Sequence, residues 1–179
     1  MTREKLQQLL QQTFGHLGDA QLLAAVVWAE ARGETREGKI AVASVVMERV
    51  EHRDWDGRTV GEVVLCPWQF SAFLPADPNW PRLKEIAADF ATAVIQSPAL
   101  MTCLTIAEGI LTGAIPRDPV ITTHNCTQYV TSAWRTLMDK KAAELTAQGR
   151  AADLAVLDKK RWWIRMRRIA TIGHHEFYA

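Results

Sequence analysis

Long apolar runs are missing from this sequence: no stretch of about 18 apolar residues occurs, so no segment is expected to cross a bilayer as a helix. The opening residues, Met1 to Gln12, are polar and charged, with Leu6, Leu9 and Leu10 at helical spacing in place of the apolar run of a secretory signal. On that reading the chain is made and first folds in a cytoplasm. Cysteine is scarce. Cys66, Cys103 and Cys126 cannot all pair within one chain, and they lack the close spacing of a zinc site, which argues against a disulfide-built fold. Charge of one sign is also lacking: 21 basic side chains face 20 acidic ones, so no global field points to nucleic acid. Internal repeats and low-complexity linkers are absent, and a single domain over residues 1–179 follows.

What is present is the composition of a soluble globular protein, 48% apolar and 23% charged. A domain of this length buries roughly 70% of the surface its unfolded chain exposes, enough for one core. The periodicity is mostly helical. After a helical extension over 1–18, Asp19 reads as an N-cap, and Leu22, Leu23, Val26 and Val27 follow along one face until Gly33. The segment Thr35 to Val50 carries Val42, Val45, Val46 and Val50 at core spacing, with Lys39, Glu48 and Arg49 assigned to a polar face. Thr59 caps a short helix to Leu65, which Cys66-Pro67 ends.

Pro81 opens a helix bearing Leu83, Ile86, Ala87, Phe90 and Val94, and Ser97-Pro98 opens another that ends at Gly113. Val120 to Thr123, short and β-branched, reads as extended. Trp134 to Leu157 suits one or two helices broken near Gly149. In Ile164-Arg-Met-Arg167 apolar and basic residues alternate, which predicts a strand leading into Ile172 to Tyr178. The expectation is an α+β fold, predominantly helical, with a few short strands.

Glu30 stands out chemically. It continues an apolar stripe, sits at a helix C-terminus where the dipole is negative, and has Glu34 one turn on. Each effect raises a carboxyl pKa, as a glycosidase needs for protonating a leaving oxygen. The plainer alternative is a helix-end carboxylate beside Arg32 or Arg36.

The run Trp28-Ala-Glu-Ala-Arg-Gly-Glu34, followed by Gly38-Lys-Ile-Ala-Val-Ala-Ser-Val-Val-Met-Glu-Arg-Val50, resembles the opening of the SleB-type cell wall hydrolases, the family of spore-cortex lytic enzymes. Later pieces agree in order: Trp68-Gln-Phe-Ser71, Thr123-His124 with Trp134 downstream, and Ile172-Gly-His-His-Glu-Phe-Tyr178. The resemblance implies a lysozyme-like fold, lytic activity on bacterial peptidoglycan, and Glu30 as catalytic residue. It carries Glu34, Gln69, Ser71, Thr123, His124 and Tyr129 into the substrate cleft, with no cofactor and no metal. Gln69 and Ser71 also read as turn residues after Pro67, and Tyr129 and Tyr178 as core caps.

A two-carboxylate hydrolase needs its acids about 5 Å, or about 6.5 to 9.5 Å, apart. Glu34, Asp54 and Asp56 are the candidates, none compelling. A lytic transglycosylase, cleaving between N-acetylmuramic acid and N-acetylglucosamine to leave anhydromuramoyl ends, needs only the one acid. It is the first expectation, with a water-using muramidase or glucosaminidase as the alternative. A non-catalytic wall-binding or virion protein and a zinc amidase are the remaining classes. For zinc, His124, Cys126, His174 and His175 have suitable donors, but adjacent histidines on a strand point to opposite sides. Without a signal segment the chain suits a phage or phage-derived endolysin, acting as a monomer.

Departures from the family pattern fall at Glu48, where Asn is usual, at Asn125, where an aromatic is usual, and in a stretch, 138–168, that reads as an insertion. Its end is basic: Lys159, Lys160, Arg161, Arg165, Arg167 and Arg168 surround Trp162 and Trp163. Either this is a solvated face flanking a buried aromatic pair, or it touches an anionic wall or membrane surface.

Overall fold

The computed structural model describes residues 1–52 and 57–179. Asp54 and Asp56 lie outside the described residues. The chain runs through α1 (Arg3–Phe14), α2 (Asp19–Ala31), α3 (Arg36–Glu51), α4 (Val60–Val64), a 3₁₀ turn (Ser71–Phe73), α5 (Trp80–Ala88), α6 (Phe90–Gln96), α7 (Pro98–Thr112) and α8 (Pro119–Thr123). It then forms β1 (Gln128–Thr131), α9 (Ser132–Ala147), α10 (Ala151–Asp158), a second 3₁₀ turn (Trp162–Arg165), β2 (Arg168–Ile172) and β3 (His175–Tyr178). The expected α+β, predominantly helical class holds. The three strands make one antiparallel sheet in the order β1-β3-β2, with Tyr129 opposite Phe177.

α2 is the central helix, packed along α7 and against α3 and α4. Its residues from Leu22 to Trp28 are all buried, so the apolar stripe seen in the sequence is in fact a helix enclosed on nearly every side. Its N-cap is Gly18, whose amide donates to Gln21 Oε1 at 3.0 Å. Asp19, expected to be the cap, instead accepts from the Gly61 amide at 3.1 Å and ties α2 to α4. Leu6, Leu10 and Phe14 bring α1 into the same core.

α3 begins where expected, with Thr35 accepting from the Gly38 amide. The polar face assigned to it does not exist: Lys39, Glu48 and Arg49 are all buried. Each is matched from elsewhere in the chain, Lys39 donating to the Glu34 carbonyl, Glu48 pairing with Arg117 at 3.3 Å, and Arg49 Nε donating to the Thr127 carbonyl at 2.8 Å.

Two further differences have local causes. The helix opened by Pro81 breaks at Asp89, whose side chain accepts from the Thr92 amide and restarts the chain as α6. Residues Val120 to Thr123 are helical rather than extended, because Asp118 accepts from the amides of Val120 and Ile121 and Pro119 occupies the first turn. At the C-terminal end the residues Ile164 and Arg165 belong to a 3₁₀ turn, and the strand begins only at Arg168.

A second apolar cluster lies apart from the main core. Val130, Met138, Ala142, Leu145, Leu157, Trp163 and Tyr178 form it, mostly from the 138–168 segment and the sheet. Gly149, with φ of 64°, makes the left-handed turn between α9 and α10.

Candidate active site

Glu30 occupies the last turn of α2, where the enclosed helix emerges from the core. Its carboxyl, together with Ser71 and Tyr129, lines two cavities at once. The first, of about 400 Å³, is completed by Arg49, Trp68, Gln69, Phe70, Gln128 and Trp162. The second, of about 430 Å³, is completed by Val130, Thr131 and Trp134. Volumes of this order are usual for small-ligand sites.

Burial pushes the Glu30 carboxyl up to about 6, against hydrogen bonding from the Tyr129 hydroxyl, which lowers it. The charge of Asp77 adds to the rise, while the Arg49 guanidinium and a hydrogen bond to the Ala72 backbone oppose it. The like charge that acts on Glu30 is thus Asp77 and not Glu34, the neighbour expected one turn on. Burial, with the charge of Glu30, holds the Tyr129 phenol well above its usual range, so it stays a hydrogen-bond donor.

Arg49 was missed by pattern reading and is the most telling neighbour. It is only 4% exposed, yet it lines the cavity, with its guanidinium 4.9 Å from the Phe70 ring centroid and its Nε on the Thr127 carbonyl. A buried cation beside a carboxylate on two successive helices is a fold-made pair that no local spacing announces. Trp68 and Trp134, present in the motif pieces but not singled out, stand 53% and 48% exposed, Trp68 on the first cavity and Trp134 on the second. Gln128 also joins the wall. The pair Trp162-Trp163, read as buried together, divides: Trp163 is core, whereas Trp162 is half-buried and lines the cavity with Glu30.

Of the residues expected in the cleft, Gln69, Ser71 and Tyr129 line the cavities beside Glu30. Glu34, Thr123 and His124 do not. Thr123 ends α8 and His124 is its exposed C-cap. Glu34 is engaged by the β2–β3 turn, accepting the His174 amide at 3.0 Å and facing His174 Nδ1 at 2.8 Å, with His175 Nδ1 at 3.8 Å. Burial would raise the Glu34 carboxyl, but these hydrogen bonds outweigh it and hold it below the usual range.

Both histidines therefore reach one carboxylate, contrary to the opposite-sides expectation. His174 lies in the turn rather than on the strand, next to Gly173 at φ of 59°, where any Cβ would strike the Glu34 carboxylate. His175 stacks edge-on against Tyr129 at 5.3 Å, so this tie supports the wall behind Glu30.

The zinc candidates are not gathered, and among the described residues no cluster of three metal-ligating side chains occurs. Cys66, Cys103 and Cys126 are buried and form no disulfide, and burial pushes the thiols of Cys103 and Cys126 up to about 11. Two of the six basic residues near the C-terminus are internal partners: Arg161 pairs with Asp139 and Asp158, and Arg168 with Glu176. Tyr178 is buried and donates to Glu176 at 3.0 Å, so it belongs to that network and not to the cleft.

A family model described as Cell Wall Hydrolase matches residues 33–178, beginning three residues after Glu30. Among solved structures, the catalytic domain of the Bacillus cereus SleB protein is similar at 23% identity, over 90% of this chain and 89% of that chain, with a TM-score of 0.47. No curated protein matches.

Proposed function

The chain belongs to the cell wall hydrolase family, and from that premise we propose that it cleaves the glycan strand of peptidoglycan as a lytic transglycosylase, with Glu30 as its acid and base. The observation that carries this reading is a carboxyl raised to about 6 at the junction of two cavities, where it is the only carboxylate among the described lining residues. Protonated Glu30 donates to the glycosidic oxygen as the bond from the anomeric carbon breaks. The resulting Glu30 carboxylate then takes the proton of the muramic acid's own hydroxyl as that oxygen closes on the anomeric carbon. The anhydro ring forms, no water is consumed, and Glu30 is protonated again. Ser71, Gln69 and Gln128 supply hydrogen bonds to the sugar hydroxyls along the wall.

One observation favours a water-using hydrolase as the second reading. Asp77 acts on Glu30 through its charge and would be the second carboxylate. Against it, Asp77 lines neither cavity, and its carboxylate accepts the Asn79 amide at 2.8 Å.

Mass spectrometry of digested peptidoglycan is the deciding measurement. Anhydromuramoyl ends are expected from the parent protein; reducing ends establish the hydrolase, and cut peptides refute both. Glu30→Gln is expected to lower turnover by about 10² to 10⁴, the usual worth of a general acid. Unchanged turnover in a folded Glu30→Gln protein would remove Glu30 from the chemistry.

A further inference from the structure

The 138–168 segment reaches the catalytic cavity through one side chain. Trp162 starts the 3₁₀ turn after α10 and lines the same cavity as Glu30, Trp68 and Gln69. Its indole is braced: the Tyr178 ring meets it edge-on at 5.3 Å and the Trp163 ring at 5.6 Å. Trp163 in turn is buried, with Nε1 at 3.4 Å from Asp139, and Asp139 also receives Arg161 at 2.8 Å. Arg161, directly before Trp162, reaches Asp158 at 2.6 Å as well, which closes the turn. An aromatic ring held on two sides by rings and at its base by ion pairs loses little freedom when a ligand arrives.

Trp68, on the same cavity, is held differently. Its backbone has φ of 67°, a left-handed conformation that a bulky residue adopts at a cost, and its side chain is half exposed. That backbone leaves more than half of a large indole exposed on the cavity wall. The second cavity, which Glu30 also lines, has an exposed indole of its own in Trp134. Pyranose rings present flat C–H faces and a rim of hydroxyls, the complement of an indole wall set among Gln69, Gln128 and Ser71.

Resting on the reading of Glu30 as the acid of a glycan-cleaving site, we propose that Trp162 is a sugar-stacking residue which forms, with Trp68, the glycan subsite on one side of Glu30. The 138–168 segment thereby sets how tightly the strand is held there. Trp134 takes the strand on the other side, and the bond to be cut lies between them.

The test is calorimetric titration of a soluble tetrasaccharide of alternating N-acetylglucosamine and N-acetylmuramic acid into the full chain carrying Glu30→Gln, so that nothing is cleaved. Adding Trp162→Ala is expected to weaken binding about tenfold, in keeping with truncation of an aromatic anchor. Trp162→Phe should recover part of that loss. Ile164→Ala, an exposed position on the same turn that lines neither cavity, should bind as the parent does. In the cleaving protein Trp162→Ala should raise KM with kcat nearly kept. Unchanged affinity in Trp162→Ala overturns the proposal, as does an equal loss in Ile164→Ala, which would mean that the turn and not the ring matters. Should Trp162→Ala not fold, Trp162→Phe decides alone: affinity below the parent's in a folded protein supports the proposal, and parent affinity overturns it. These results are independent of the acid assignment, which fails only if Glu30→Gln still cleaves.

Discussion

Glu30 and Trp162 face one cavity from two regions that are held together by different physics. Glu30 stands at the end of a helix enclosed by apolar side chains and packed against α3 and α7. Trp162 stands on a small cluster whose edges are ionic: Arg135 bridges Asp139 and Glu176, Arg161 bridges Asp139 and Asp158, and Arg168 meets Glu176. A packed core fixes position, and burial at its edge raises the Glu30 pKa through desolvation. A thin cluster bordered by ion pairs fixes position more weakly, and it responds to salt. On the proposed roles of Glu30 and Trp162, acidity and grip are built separately, so each should yield to its own substitutions.

The largest effect should come from striking the two regions with the same deletion. Leu23→Ala, at a fully buried site on α2, is expected to cost about 2–5 kcal/mol and to lower activity only by lowering the folded fraction. Leu157→Ala, in the small cluster, should cost about 2 kcal/mol or less, because few neighbours surround the site. It should weaken glycan binding by loosening the mount of Trp162. Thermal melts with tetrasaccharide titrations check both. Equal destabilisation at the two sites would break the comparison and make the molecule one cooperative unit.

What could be read in the sequence follows the same division. Helix starts set by adjacent side chains were legible: Thr35, Thr59 and Ser97 each cap the helix that their spacing marked, and Gly113 ends α7 at φ of 76°. Glu30 was legible as a carboxyl in apolar company. What surrounds it was not, because Asp77, Arg49 and Tyr129 come from three distant stretches and none is placed by local periodicity. Arg49 fitted a polar helix face until the Thr127 carbonyl and the Phe70 ring were seen to cover it. Trp162 and Trp163 looked alike in the chain and part only because a 3₁₀ turn sends successive side chains to different faces.

A smaller and sharper effect concerns acidity. A general acid works while protonated, so kcat/KM should fall as pH rises through about 6, the value to which Glu30 is pushed. Tyr129→Phe removes a hydrogen bond that lowers the Glu30 pKa, so the falling limb should move to higher pH. Arg49→Gln should move it the same way, since a cation that favours the carboxylate is lost. Trp162→Phe should leave the limb where it is. A shift there, or none in Tyr129→Phe, would show that the two regions share control of the acid.

The smallest effect belongs to the outer face of the second region. With Arg161 and Arg168 committed to internal pairs, Lys159, Lys160, Arg165 and Arg167 are the exposed remainder of the basic segment, and among the described residues they make no ion pair. Long-range attraction to an anionic wall would pass through these four, and it is screened within about 10 Å at 0.1 M salt. Changing all four to Gln should weaken retention on isolated cell walls by roughly a few-fold at low salt and hardly at all at high salt. Arg168→Gln alone should behave differently, lowering the melting temperature by stripping a partner from buried Glu176 while changing the salt dependence little. Retention unchanged at low salt in the fourfold variant would make the segment a mount for Trp162 and nothing more, and the cavity wall would then be its whole contribution to binding.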